Sequence, residues 1–331
     1  MLFRSPKPQT PNPKPQTPNP IFTVMISTIL AVAGVICISV AFRHLIALAL
    51  TCRAARVTKD IKLAYGDGSY CLVTGCTEGI GRAFAKEVAS RGMNLVLVAR
   101  NKDKLEVVKK QIEEQCPKVK IVVVVADFTE CNKVEFMPNL LKEVKDLDIS
   151  LLVNNVGISH FDKFNDCSLQ QVTNLVIVNT LSQTVMLHEF LPRLNKRGSR
   201  SAVINLSSCL AVSPSNWLPL YTATKAFSSY LTQGLELTDQ YKNIDFQDLC
   251  PHRTSSNLND YDPPSMATAS SEDCVAASLN TLGHTITTPG SLKHVLVDTV
   301  HRLGFFLLGT RLGETLRLYS HNLLAAIKMT K

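Results

Sequence analysis

From Tyr70 to Leu249 the chain alternates short apolar runs with longer segments whose apolar residues recur at intervals of three and four. The runs at 70–74, 94–99, 121–125, 151–153, 202–206 and 244–249 predict strands. The segments near 81–91, 102–115, 132–145, 168–194 and 221–240 predict helices; in the first of them Ala83, Phe84, Val88 and Ala89 mark the buried face. Ile121 to Val125 is apolar at every position, the pattern of a strand covered on both faces. Strand and helix in alternation predict an α/β domain, a doubly wound, Rossmann-like parallel sheet. Further on, Asp262-Pro263-Pro264 marks a loop and Ser271 to Leu282 a helix, while the apolar piece Leu303 to Leu312 is too short to span a bilayer and is expected to pack.

The N-terminal pattern is of another kind. Lys7 to Pro13 repeats as Lys14 to Pro20, a proline-rich stretch unsuited to helix or sheet, so residues 1–20 are expected to form a disordered tail. Ile21 to Phe42 then runs 22 residues without a charge, about 33 Å as a helix, and predicts a transmembrane anchor rather than a cleaved signal, whose apolar region is shorter. The expected organisation is a tail (1–20), an anchor (21–42), a basic linker (43–64), a dinucleotide-binding catalytic domain (65–260) and a C-terminal extension at the substrate entrance (261–331).

Charge sharpens this picture. The net charge of +8 is almost wholly contributed by residues 1–62, which hold eight Lys and Arg against one acidic residue. Five of the eight follow the apolar run, so the catalytic region is expected on the cytosolic side. A near-neutral body argues against nucleic acid as a partner. The ten cysteines show no C-x-x-C or paired spacing and are read as reduced thiols, and no metal-site spacing is present.

Candidate chemistry begins at Leu72 to Gly81, a strand, a glycine-rich turn and a helix start. There Gly75, Thr77, Gly79, Ile80 and Gly81 are candidates for cradling a pyrophosphate with backbone N–H groups and a helix N-terminus. The spacing is G-x-x-x-G-x-G rather than G-x-G-x-x-G, and on its own it also suits a tight turn without a ligand. The second strand ends Val98-Ala99-Arg100-Asn101, with no acid to receive a ribose 2′-hydroxyl; Arg100 suits a 2′-phosphate and favours NADPH, the alternative being a solvated surface arginine. Asp127 suits the adenine edge or a turn cap.

A second constellation lies at Tyr221 and Lys225, four residues apart and so on one helix face. An ammonium beside a phenol is expected to draw the phenol pKa down toward working pH, which suits proton exchange with a carbonyl. Ser208, at the end of the strand 202–206, is placed to hold a substrate oxygen; Ser207 competes, and alternation does not separate the two.

Together Thr74-Gly75-x-x-x-Gly79-Ile80-Gly81, Asn154-Asn155-Val156-Gly157, Asn179, Ser208 and Tyr221-x-x-x-Lys225 resemble the short-chain dehydrogenase/reductase family in order and spacing over residues 65 to about 260. Tyr65-Gly66, the wording of 151–157 and the anchor resemble its microsomal branch of 17β-hydroxysteroid dehydrogenases and very-long-chain 3-oxoacyl-CoA reductases. The resemblance implies Tyr221 as general acid, Lys225 on the nicotinamide ribose, Ser208 polarising the carbonyl, and Asn179 holding a relay water through a helix distortion. It also implies Asn154 and Gly157 along the adenosine, Ser256 at the nicotinamide amide, a lipid-like ketone as substrate, the endoplasmic reticulum membrane, and a homodimer built on the helices around Asn179 and Tyr221. Pro251-His252-Arg253 departs from the family's pattern, and His252 is expected as an exposed loop residue. That departure motivates the alternative of a non-catalytic NADP(H)-binding membrane protein.

Overall fold

The computed structural model describes residues 20–55, 57–160, 164–256, 263–265 and 268–291, and single positions or short pieces from 293 to 315. Residues 1–19 of the expected tail and most of the apolar piece at 303–312 lie outside the described residues, while Pro20 already belongs to the first helix. The chain divides into two units, Met1–Ile46 and Ala47–Lys331. A long helix, α1 (Pro20–Ala55), carries the apolar run, with Ile21, Val24, Ile29, Leu30, Val35 and Ile38 among its exposed side chains. It continues through Arg43 and Arg53, where a linker was expected. Among the described residues no helix is long and apolar enough to cross a membrane. The anchor expected over 21–42 is therefore not a finding of the fold.

After a short α2 (Ile61–Tyr65), the second unit winds β1 (Tyr70–Thr74), α3 (Gly79–Ser90), β2 (Asn94–Ala99), α4 (Lys102–Gln115), β3 (Ile121–Val125), α5 (Phe136–Val144) and β4 (Ile149–Asn154). It goes on through α6 (Leu169–Val176), α7 (Ser182–Asn195), β5 (Ser201–Leu206), α8 (Pro219–Glu236), β6 (Ile244–Leu249), α9 (Ser271–Thr281) and β7 (Thr287–Thr288). Every pairing is parallel, in the order β3-β2-β1-β4-β5-β6-β7. The six expected strands all form, and the two-residue β7, too short for a pattern, joins them at the far edge.

Alternate residues of the central strands face two separate cores. Val73, Leu95, Leu97, Leu151 and Ile204 pack with α3, α4 and α9 through Phe84, Leu105 and Leu279. Leu72, Val96, Leu152 and Val203 pack with α5 and α7 through Leu140, Phe190 and Leu194. The all-apolar β3 departs from its expected burial. It is an edge strand, with a neighbour on one side only, and Val125 at its end is 53 % exposed.

β6 shows the reverse. Asp245, Gln247 and Asp248 are buried in it, each with partners. Tyr65 Oη donates to Asp245 at 2.9 Å and Arg200 pairs with the same carboxylate; Gln247 donates to Ser278 O at 3.1 Å; Gln233 Nε2 donates to Asp248 at 3.2 Å. Buried polar groups of this kind are tolerated because they are hydrogen-bonded. The strand order reverses between β1 and β4, which opens a crevice beyond their carboxyl ends.

Candidate active site

The crevice is a cavity of about 670 Å³. Its floor is the β1–α3 turn. Gly75 has φ +64°, a left-handed value that favours glycine, and a Cβ on Gly81 would lie 2.3 Å from both Gly75 O and Asn155 Nδ2. The turn is thus closely packed, and Glu78 at the N-terminus of α3 makes no side-chain cap, which leaves that helix end open as a pyrophosphate site requires. Asn155 secures the turn: its Nδ2 donates to Thr74 O at 2.8 Å and to Gly75 O at 3.0 Å.

Gly75, Thr77, Gly79, Ile80, Gly81, Arg100, Asp127, Gly157, Ser208, Tyr221, Lys225 and Ser256 all line this cavity, drawn from six connections of the sheet. Asp127 also caps its own turn, accepting from Thr129 N at 3.0 Å and Thr129 Oγ1 at 2.9 Å, so both uses considered for it are compatible. Two candidates stand elsewhere. Asn154, the last residue of β4, is turned into the sheet, where its Nδ2 donates to Asn205 Oδ1 at 2.8 Å; Asn155 takes the place at the cavity. Asn179 lies one layer behind the wall. It occupies a π-helical turn, Ile177–Leu181, between α6 and α7, the local distortion expected there. Its Oδ1 accepts from Ile158 N at 2.8 Å, and its Nδ2 donates to Ile158 O at 2.9 Å and Thr224 Oγ1 at 3.1 Å. It therefore ties the loop after β4 to α8.

At the other end of the crevice the tertiary structure separates the two serines. Ser207 Oγ donates to Lys225 O at 2.7 Å and is committed to holding α8. Ser208 instead lines the cavity with Tyr221, its Oγ accepting from Leu210 N at 3.2 Å. Lys225 Nζ donates to Leu206 O at 2.8 Å and lies 5.7 Å from the centre of the Tyr221 ring. Burial lowers the Lys225 pKa to about 8, against the favourable fields of Cys250 and Asp248. Tyr221 departs from expectation. Burial, helped by the negative field of Cys209, raises its pKa to about 12 and outweighs the opposing influence of the Ser208 hydroxyl. The phenol keeps its proton at neutral pH, the form a general acid needs.

His252 is a second correction. Its side chain is 9 % exposed, not a solvated loop residue, and its Nε2 lies 3.3 Å from Asp298 Oδ1. Burial would lower its pKa, but the field of Cys209 and hydrogen bonds to Asp298 and Cys209 raise it to about 10. Asp298, His294 and His301 lie far along the chain, in a segment without a pattern of its own, so nothing in the sequence near His252 signals its burial. Lys104, on the first turn of α4, joins Arg100 at the mouth of the cavity, where it pairs with Glu78; its spacing of four from Arg100 was the available signal. Cys209, Trp217 and Leu218 also line the wall and stood outside the motifs.

A family model described as short chain dehydrogenase matches residues 69–266. The very-long-chain 3-oxoacyl-CoA reductase of Anas platyrhynchos is 34% identical over 72% of this chain and 76% of its own. Hydroxysteroid dehydrogenase-like protein 1 of Gallus gallus is 32% identical over 78% of this chain and 76% of its own. Among solved structures, a short-chain dehydrogenase from Sphingobium yanoikuyae in complex with NADPH superposes with a TM-score of 0.57 at 27% identity, over 64% of this chain and 84% of that one.

Proposed function

The chain belongs to the short-chain dehydrogenase family and is an oxidoreductase, and from that premise we propose that it is a membrane-anchored, NADPH-dependent reductase of a ketone on a hydrophobic substrate, a 17-ketosteroid or a long-chain 3-oxoacyl-CoA. The observation that carries the reading is the meeting of Ser208, Tyr221 and Lys225 at one end of a cavity whose other end is the glycine turn and Arg100. The names of the relatives supply the two substrate classes, 3-oxoacyl-CoA and hydroxysteroid.

The residues fit a dinucleotide: Gly75, Gly79 and Gly81 line the cavity at the start of α3, whose N-terminus has no side-chain cap. Gly75, Thr77, Gly79, Ile80 and Gly81 would hold the pyrophosphate, Asp127 and Gly157 the adenosine, Lys225 the nicotinamide ribose and Ser256 the amide. Bound there, the cofactor supplies a hydride to the carbonyl carbon. Ser208 Oγ donates to the ketone oxygen and orients it, and Tyr221 Oη gives that oxygen its proton. Asn179 keeps Ile158 and α8 in register so that these groups converge.

Arg100, with Lys104 beside it, supports the phosphorylated cofactor. Arg100→Ala is expected to lower the preference for NADPH over NADH by about tenfold, the worth of one charge-assisted contact to phosphate, read from KM for each cofactor. The anchor rests on the uncharged run 21–42, and the cytosolic side and endoplasmic reticulum on its flanking charges and the branch resemblance. Exposed Val176, Phe227 and Tyr230 on α6 and α8 support a homodimer through those helices.

The test is NADPH oxidation by the detergent-solubilised chain with each ketone in parallel. Tyr221→Phe is expected to lose 100-fold or more, roughly the contribution of a positioned acid. Undiminished turnover would remove Tyr221 from the mechanism, and NADPH binding without reduction of either ketone would turn the reading toward a non-catalytic binding protein.

A further inference from the structure

Next to the hydroxyls that receive a carbonyl stands a chemistry that the reduction does not use. Cys209 follows Ser208, opens the 3₁₀ turn Cys209–Val212 and lines the same cavity. Its backbone N–H donates to Pro251 O at 3.0 Å, which sets it beside His252 in the cavity wall, and the His252 Nε2 faces Asp298 at 3.3 Å. The His252 ring packs near those of His294 and His301, with centroids 5.2 and 5.4 Å away. A nucleophile, a base and an orienting carboxylate thus stand in sequence, the arrangement that makes a weak nucleophile reactive.

An imidazolium beside a thiol favours the thiolate, and His252 holds its proton well above neutrality here. Cys209 is near enough to Tyr221 for its charge to act on the phenol. Leu210, Trp217 and Leu218 give this end of the cavity an apolar wall. A reactive sulfur, two donors for a carbonyl oxygen and an apolar surface therefore share one space.

We propose that Cys209 is a covalent attachment site for hydrophobic α,β-unsaturated ketones, which enter with the carbonyl oxygen on Ser208 and Tyr221. The assignment rests on the reading that those two hydroxyls receive a ketone oxygen. The thiolate Sγ forms a bond to the β-carbon, the carbon–carbon π bond breaks, and its electron pair passes to the carbonyl as an enolate steadied by Ser208 and Tyr221. The proton held on His252 ends on the α-carbon. The net change is addition of S–H across the double bond, with no oxidant and no leaving group. Asp298 is a positioning residue that keeps the imidazole aimed at the sulfur. The adduct fills the ketone site, so the enone stops reduction.

The test uses the full chain in detergent, treated with 1-octen-3-one or with iodoacetamide, with each cysteine peptide followed by mass spectrometry. Cys116 and Cys167, partly exposed thiols of the same chain, are internal references. Cys209 is expected to take the enone about tenfold or more faster than either reference, as a thiolate held beside an imidazolium should. Ketone reduction should fall in step with the adduct, and whatever reduction Cys209→Ser retains should be insensitive to the enone. His252→Asn should bring Cys209 down to the reference rate while Cys116 and Cys167 keep theirs.

Labelling of Cys209 no faster than the references with either reagent would overturn the proposal. Rapid iodoacetamide labelling without enone selectivity would overturn the ketone assignment and count against a carbonyl site at Ser208 and Tyr221. Rapid enone labelling of a chain that reduces no ketone would uphold the proposal while removing the reductase reading. If His252→Asn does not fold, the comparison of the three thiols in the unaltered chain still decides.

Discussion

His252 shows how one buried side chain makes stability depend on pH. Its folded pKa of about 10 lies above the ordinary 6.5, so between those values the folded chain binds more protons than the unfolded one. Stability then falls as pH rises through this window; the contribution is complete below about 6.5 and gone above about 10. His252→Asn is expected to flatten that decline, checked by denaturant unfolding at pH 6, 8 and 10. A parallel slope in both proteins would mean that Cys209 and Asp298 do not hold the proton there. That Ser208, Tyr221 and Lys225 belong to one site was legible in the sequence, and all three line the cavity. Which of two adjacent serines faces the phenol was not: strand alternation ends before Ser207, and the choice is made by the carbonyl of Lys225, which takes the Ser207 hydroxyl.

Among the elements, the π-helical turn Ile177–Leu181 has the clearest purpose. The extra residue in the turn releases the regular helix spacing and lets Asn179 reach both Ile158 and Thr224. Asn179→Ala is expected to leave the Ile158 amide and carbonyl without these partners and to cost about 1–3 kcal/mol, read as a lower urea midpoint together with lost turnover. An unchanged midpoint would show that the turn is held by packing alone. The expected helix at 168–194 thus forms as three pieces, α6, the π turn and α7. Apolar periodicity detects the whole because a single extra residue barely shifts it, and misses the break for the same reason.

For the whole molecule, the division near Ile46 sets a test of the anchor. A chain beginning at Ala47 retains every strand and every cavity residue. It is expected to reduce the same ketone while losing its sedimentation with membranes, checked by flotation of both lengths. A truncated chain that still floats with membranes would place the attachment elsewhere, and one that loses turnover would tie the first unit to the chemistry. The parallel order β3-β2-β1-β4-β5-β6-β7 puts every loop that bears chemistry at one edge of the sheet, so residues 75 and 256 share a cavity despite their distance along the chain.

The sequence by itself determined the α/β class, six of the seven strands, the nucleotide turn and the residues able to carry proton transfer. These follow from local rules: side-chain periodicity, the steric freedom of glycine and the fixed reach of a helix turn. Only the tertiary structure decided the exposure of β3, the buried carboxylates and amide of β6, the inward turn of Asn154, the raised phenol of Tyr221 and the enclosure of His252 by Asp298, His294 and His301. Each depends on burial or on partners tens of residues away, and neither is encoded in the neighbours along the chain.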